Sequence, residues 1–281
     1  MTALSIGDSD LATQLQLAIE RGELELHYQP KVAIRAGRLA GVEALVRWTH
    51  PELGPVDPEH FVGLAERYGS IDALTDWVVR TGLRQWRGWR EQGVTLNIAF
   101  NVSALSLRDV YFPDYLHRLC LVEGVPTEQV TVEVTEGATQ HLTRLLDTLT
   151  RFRLKGMSLS LDDFGTGYSS LLQLRQLPYT ELKIDRCFVA DAATSEDSRL
   201  IIEAMVNLAH AMGLVATAEG VEDAETLALL AHLRCDNVQG FHLARPMAGP
   251  LLVPWLIDSD LHEPAQIPGE TGQLLPFRST A

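Results

Sequence analysis

The amino-acid sequence predicts an α/β protein folded as a TIM-like (β/α)8 barrel. Strand patterns alternate with helix patterns along most of the chain, which implies a mostly parallel sheet. Eight strand candidates in 281 residues fit one closed barrel of about 250 residues. Nearly every strand candidate also places an ionisable or amide side chain near its C-terminal end: Glu43, Asn101, Glu133, Asp162, Lys183, Glu219 and Gln239. A barrel gathers those ends at one mouth, where active sites of this architecture are built, whereas an open doubly wound sheet spreads them along an edge.

In chain order, apolar residues at helical spacing predict a helix over 11–21, stopped by Gly22. Alternation then predicts strands over 24–34, through His27-Tyr28-Gln29-Pro30, and over 39–48, carrying Glu43. Helices follow over 58–68 and 71–92, the second with apolar positions at Leu74, Val78, Leu83 and Trp86. The βα rhythm continues with a strand over 95–100 ending on Asn101, a helix over 107–122, a strand over 130–134 and a helix over 139–154. Met157, Leu159 and Leu161 alternate into a short buried strand that runs straight into Asp162-Asp163 and a glycine-broken turn. A short helix over 170–177, a strand over 181–184, a helix over 198–212 and a strand over 214–218 come next. A helix over 224–233 and a strand over 237–241 complete the barrel. The barrel is assigned to residues 11–257, and 1–10 and 258–281 are read as flexible ends, the second rich in Pro, Gly and polar residues.

A hydrophobic fraction of 46% suffices for a large core. The net charge of −14 argues against a surface that coats DNA or RNA or binds an anionic membrane, but not against an anionic substrate neutralised locally by cations. Cys120, Cys187 and Cys235 form neither a CxxC pair nor an even-numbered framework, which points to a reduced, cytoplasmic setting. The first ten residues lack a basic and apolar leader, and the longest charge-free apolar run, 204–218, is too short to cross a bilayer.

Two adjacent carboxylates at the mouth of a buried strand repel each other unless a cation sits between them, so Asp162-Asp163 suggests an oxygen-ligated divalent metal. The same pair also reads as a cap for the helix beginning near Ser169. Glu43 within an apolar strand is costly unless paired or ligating a metal, or unless the strand is an exposed edge. Asn101 before Ser103 reads as a turn-former as readily as a ligand, Lys183 as a solvent-facing strand residue, and Glu219-Gly220 as ordinary strand-end chemistry. The absence of HExxH or of clustered Cys and His argues against zinc. His27, His50 and His242 read as structural or rim residues, and Trp77, Trp86 and Trp89 as helix packing or a partner surface.

Glu43-Ala44-Leu45, Asn101-Val102-Ser103, Glu133-Val134-Thr135-Glu136, Asp162-Asp163-Phe164-Gly165, Leu182-Lys183-Ile184-Asp185, Glu219-Gly220-Val221-Glu222 and Gln239-Gly240-Phe241 occur in this order on these elements. Together they resemble the EAL-domain cyclic di-GMP phosphodiesterases over residues 11–256. The resemblance implies a TIM-like barrel whose first strand runs antiparallel to the rest. It implies two ions, Mg2+ or Mn2+, one on Glu43, Asn101, Glu133 and Asp162, the other bridged by Asp162 and using Asp163. Lys183 would orient the attacking water and Glu219 serve as general base, with Gln29, Arg47 and Gln239 facing substrate and Glu136 anchoring the loop 164–170. The activity implied is hydrolysis of cyclic di-GMP to linear pGpG. The alternative is a non-catalytic module that binds the same ligand, but the degenerate members' losses of acidic ligands are not found here. The resemblance also implies a homodimer and a sensor or GGDEF partner, either separate or within a longer chain.

Overall fold

Among the described residues, ten strands form one sheet, and eight of them close it into a barrel. The computed structural model describes residues 6–135, 142–166, 171–259 and Leu261. The closing strands are β1 (Leu24–Ala33), β2 (Arg38–His50), β4 (Asn97–Asn101), β5 (Val130–Thr135), β6 (Ser158–Phe164), β7 (Glu181–Ile184), β8 (Val215–Ala218) and β9 (Asn237–Gln239). From β2 through β9 each neighbouring pair is parallel. The first strand, β1, is antiparallel to both β2 and β9 and seals the ring, as the resemblance implies. All eight barrel strands coincide with those read from the sequence to within a few residues at their ends. Two short additions extend the rims: β3 (Gly54–Val56) pairs with β2, and β10 (Met247–Ala248) pairs with β1.

Alternation along each strand divides the side chains into two cores. Residues such as Val42, Ile98, Phe100, Val132, Leu159, Leu182 and Val238 point outward and are buried beneath the helices. The intervening positions point into the barrel, and there the buried residues are mainly polar or charged, among them Lys31, Glu43, Glu133, Ser160, Glu181, Lys183, Thr217 and Gln239. Apolar layers ordinarily fill such a barrel, so this interior is polar against the trend of the architecture.

The surrounding helices are α1 (Asp8–Arg21), α2 (Pro58–Tyr68), α3 (Ile71–Glu91), α4 (Phe112–Glu123), α5 (Leu142–Leu154), α6 (Leu171–Gln176), α7 (Arg186–Val189), α8 (Glu196–Ala211), α9 (Ala224–His232) and α10 (Leu252–Asp258). Helix α3 carries the tryptophans. Trp86 and Trp89 are buried packing residues, Trp89 meeting the Tyr28 ring edge-on at 4.8 Å and donating its indole N–H to the Gly249 carbonyl. Trp77 is only partly buried against the same core.

Several boundaries differ from the sequence reading. Helix α1 begins at Asp8 rather than Leu11, because the Asp8 carboxylate meets Arg67 of α2 at 2.8 Å and holds the first turn down. The helix expected over 107–122 divides into a 3-10 turn, Ser106–Arg108, and α4, with Pro113 in the first turn of α4. At the C-terminal end, Leu261 is buried and its carbonyl accepts the Leu39 N–H, so the packed region reaches beyond residue 257. The rest of the predicted tail, 262–281, and residues 1–5 lie outside the described residues.

Candidate active site

The predicted strand-end residues meet at one mouth around Lys183. Its ammonium, on β7, lies 2.9 Å from Glu133 Oε2, 3.1 Å from Asp162 Oδ1, 2.6 Å from Glu219 Oε1 and 3.6 Å from Glu43 Oε2. Parallel pairing explains the convergence, because Asn101 stands in register with Glu133, and Thr135 with Asp162. Antiparallel β1 adds Gln29 opposite Glu43.

A hydrogen-bonded line crosses the mouth beside the lysine. Gln239 Nε2 donates to Gln29 Oε1 at 3.0 Å and to Glu43 Oε2 at 2.7 Å, and Asn101 Nδ2 donates to Glu43 Oε1 at 2.6 Å. Both oxygens of Glu43 are thereby oriented. The Gln29 amide is tied to the barrel rim through the Ala244 carbonyl.

A bulge positions the paired aspartates. The pairing of β6 with β7 steps from Leu161↔Leu182 to Phe164↔Ile184, so one strand holds an extra residue at Asp162-Asp163. Asp163 takes up the irregularity at φ 56°, a left-handed conformation that aspartate tolerates better than most residues. Asp162, Asp163 and Glu219 consequently offer carboxylate oxygens within 4.8 Å of one another.

The electrostatics follow from this crowding in a buried place. Burial pushes the Glu133 carboxyl up to about 8 and Glu219 up to about 7, against the pull of Lys183 in each case. Burial and then the charge on Asp162 raise Asp163 to about 6. Burial also acts against ionisation of Glu43, but Lys183 and the hydrogen bonds from Gln239 and Asn101 outweigh it and hold that carboxyl below its usual range. The lysine itself is desolvated, yet Asp162, Glu133, Glu219 and Glu43 together hold its pKa well above the usual value.

Five carboxylates, Glu43, Glu133, Asp162, Asp163 and Glu219, thus crowd around Lys183, with Lys31 reaching one oxygen of Glu133 from beneath, and this surplus of carboxylates over ammonium groups is one that further cations would relieve. The donors are hard oxygens, with the Asn101 amide beside them and a buried Gln239 Oε1 that has no hydrogen-bond partner. This set fits Mg2+ or Mn2+ rather than a soft metal.

Above the carboxylates opens a cavity of about 720 Å³, bounded by Arg47, Asp163, Arg186, Glu219, Gln239 and Phe241. A second, more apolar hollow of about 690 Å³ adjoins it across Arg47, between Val62 and Leu74 of the helices and Asn101 and Asp162 of the barrel. Both are of a size that holds small-molecule ligands. Arg47 is anchored by one N–H to the Val46 carbonyl at 2.9 Å.

A family model for the EAL domain matches residues 12–246. The chain belongs to the EAL-domain family. This EAL domain is 41% identical over 245 residues to the bifunctional diguanylate cyclase/cyclic di-GMP phosphodiesterase MucR of Pseudomonas aeruginosa, over 86% of this chain and 36% of MucR. It is 36% identical over 259 residues to the cyclic di-GMP phosphodiesterase RocR of the same organism, over 88% of this chain and 66% of RocR. Among solved structures, the PaMucR phosphodiesterase in its c-di-GMP complex aligns with a TM-score of 0.81 at 40% identity, covering 86% of this chain and 99% of that one. The EAL enzyme Bd1971, in its cAMP and cyclic-di-GMP bound form, aligns with a TM-score of 0.85 at 29% identity, covering 89% and 69%. The chain spans only 36% of MucR and 30% of the P. aeruginosa cyclic di-GMP phosphodiesterase NbdA, so it matches one part of longer proteins.

The structure brings together Gln29, Glu43, Asn101, Glu133, Asp162, Asp163, Lys183, Glu219 and Gln239, with Arg47 on the cavity wall. Glu136 and the loop residues 167–170 lie outside the described residues. Sequence reasoning passed over Lys31, Glu181 and Thr217, which form a buried polar layer beneath the mouth. The available signal was strand period: Lys31 follows Gln29 by two residues and Glu181 precedes Lys183 by two, so each shares a face with an assigned residue. No helix among the described residues is long and apolar enough to cross a membrane.

Proposed function

We propose that this EAL domain hydrolyses cyclic di-GMP to linear pGpG with two divalent ions, Mg2+ or Mn2+. The observation that carries this reading is the complete acidic set converging around Lys183, beneath a cavity walled by Arg47. Glu43, Asn101, Glu133 and Asp162 would hold one ion, and Asp162 with Asp163 the other. When bound, such a pair neutralises phosphoryl charge, acidifies a water and stabilises a leaving alkoxide.

The chain's own residues divide the remaining work. Lys183, held as an ammonium by its carboxylates, cannot remove a proton and instead positions the attacking water and opposes the charge that builds on phosphorus oxygens. Glu219, raised to about 7, accepts that water's proton as the new O–P bond forms. The P–O3′ bond breaks, and the departing 3′ oxygen takes up a proton to become the free hydroxyl of pGpG. The planar fork of Arg47 grips a phosphate, and Gln29 and Gln239 fix the face of the site against which the nucleotide lies. Glu136 anchors the loop 164–170 in this reading.

The relative PaMucR phosphodiesterase, solved as a c-di-GMP complex, supports this choice of substrate. A homodimer and coupling to a sensor or GGDEF domain in the cytoplasm belong to the same proposal, and light scattering tests the first. The activity is tested by separating nucleotides after incubation of cyclic di-GMP with Mg2+ or Mn2+. Expected is pGpG from the wild type and none from Glu43→Ala or with chelator. Intact substrate alongside measurable equilibrium binding would assign the domain a receptor role instead.

A further inference from the structure

Beneath Lys183, on the barrel axis, lies a second buried lysine. Lys31 projects from β1, the strand opposite β6 in the ring, and its ammonium reaches across to the strands on either side of β6. It meets Glu181 of β7 through both carboxylate oxygens, at 2.8 and 3.1 Å, and Glu133 Oε1 of β5 at 3.4 Å. Between those two strands β6 presents only Ser160, in register with both Glu133 and Glu181, so the long side chain has room to pass. Opposite Lys31 on β2 stands Gly41, beside a bulge at Ala40, and the lysine stem meets no side chain there.

The arrangement is a strut with a fixed foot. Glu181 is itself held, since Thr217 Oγ1 donates to its Oε1 and Asn237 Nδ2 donates to Thr217 Oγ1 at 3.3 Å. The two oxygens of Glu133 are then divided between two lysines, Oε1 to Lys31 and Oε2 to Lys183 at 2.9 Å. The Glu133 side chain is fully buried, and these two ammonium groups, one on each oxygen, set the plane of its carboxylate.

We propose that Lys31 is a positioning residue of the active site, which holds the Glu133 carboxylate from the inner end of the barrel in the orientation that binds metal. The inference rests on the reading of Glu133 as a metal ligand. Outer partners that orient a ligand are worth roughly 10–100-fold in metal affinity or activity, and Lys31 stands in that relation to Glu133.

The test compares three variants of the 281-residue chain for folding by near-ultraviolet circular dichroism, for Mn2+ affinity by the loss of the free-ion electron paramagnetic resonance signal, and for kcat and KM. Lys31→Met alone strands the Glu181 charge, so Lys31→Met/Glu181→Gln removes both partners together. Lys31→Arg restores the charge, and Glu133→Gln tests the underlying reading. Expected are a folded double variant binding Mn2+ about 10–100-fold more weakly, a fall in kcat with KM for cyclic di-GMP unchanged, and recovery of most of the affinity in Lys31→Arg. Wild-type Mn2+ affinity in the double variant, with weakened binding in Glu133→Gln, overturns the positioning role and leaves the metal reading standing. Wild-type affinity in Glu133→Gln removes the metal reading and the inference with it. Loss of the fold in both Lys31 variants assigns the residue to stability alone and also overturns the proposal.

Discussion

Asp162 and Asp163 are adjacent in a β-strand yet present their carboxylates to the same site, together with Glu219. Strict alternation would send one of them outward among the apolar residues under the helices. The extra residue in β6 and the φ of 56° at Asp163 break that alternation at one point, and Phe164 resumes the outward face beyond it. Asparagine tolerates the same backbone conformation and keeps the shape. Asp163→Asn is therefore expected to melt within about 1 kcal/mol of the wild type, as a surface-side isosteric change does. Its metal-dependent hydrolysis should fall by about 100-fold, as when a metal site loses a partner. Calorimetry and product analysis with graded Mn2+ check the two halves separately, and undiminished turnover would remove Asp163 from the metal set.

The raised carboxyls give the metal-free protein a pH signature. Glu133 at about 8 and Glu219 at about 7 sit above the 4.5 of an unperturbed glutamate. Folded-state values above the unfolded ones favour the fold most at pH below about 4.5, and that contribution disappears as pH rises through 7 and 8. With chelator present, the melting temperature should accordingly fall between pH 6 and 9. Mn2+ should reverse the fall, because the ligands must shed protons to bind it. Its affinity should rise about tenfold per pH unit for each proton displaced. Melting curves at stepped pH with and without Mn2+ decide the point, and a metal-free protein equally stable at pH 6 and 9 would contradict it.

Trp89 ties the reversed first strand to the helical shell. Its ring packs against Tyr28 of β1, and its N–H reaches Gly249 in the segment leading to α10. Trp89→Ala should cost about 3–5 kcal/mol, the range for emptying a buried aromatic site. Denaturant titration measures it, and a loss below about 1 kcal/mol would mean that the segment collapses freely into the space.

The barrel and its mouth were legible because parallel strands put chemically conspicuous residues at equivalent ends. Glu43 could be singled out in an apolar strand and Asp162-Asp163 at a strand exit without knowledge of their partners. The reversal of β1 was visible only through family resemblance, because alternation of side chains carries no strand direction. Lys31 and Glu181 escaped notice for a related reason. A lysine two residues beyond Gln29 looks like an ordinary polar strand position until closure of the ring sets β1 across from β5 and β7. The short rim strands β3 and β10 depend on pairing to longer strands, and a run of two or three residues carries too little periodicity to be read.

Gly240 joins the last barrel strand to the end of β8 at a distance no other residue permits. A Cβ there would lie within 2.7 Å of the Val221 carbonyl carbon and closer still to its nitrogen and oxygen. The close approach is what allows Val221 N–H to donate to Gln239 O at 3.1 Å and His242 N–H to donate to Val221 O at 2.9 Å. Val221 follows Glu219 by two residues and Gln239 immediately precedes the glycine, so these bonds fix Glu219, the proposed general base, relative to the amide that holds Glu43. Gly240→Ala forces the two backbones apart. Overpacking of this kind costs about 1–3 kcal/mol, and a displacement of about 1 Å among reacting groups lowers turnover by roughly 100-fold. Thermal melts together with kcat should therefore both drop in Gly240→Ala. If stability falls while kcat holds, the contact serves the fold alone and Glu219 is positioned by Lys183.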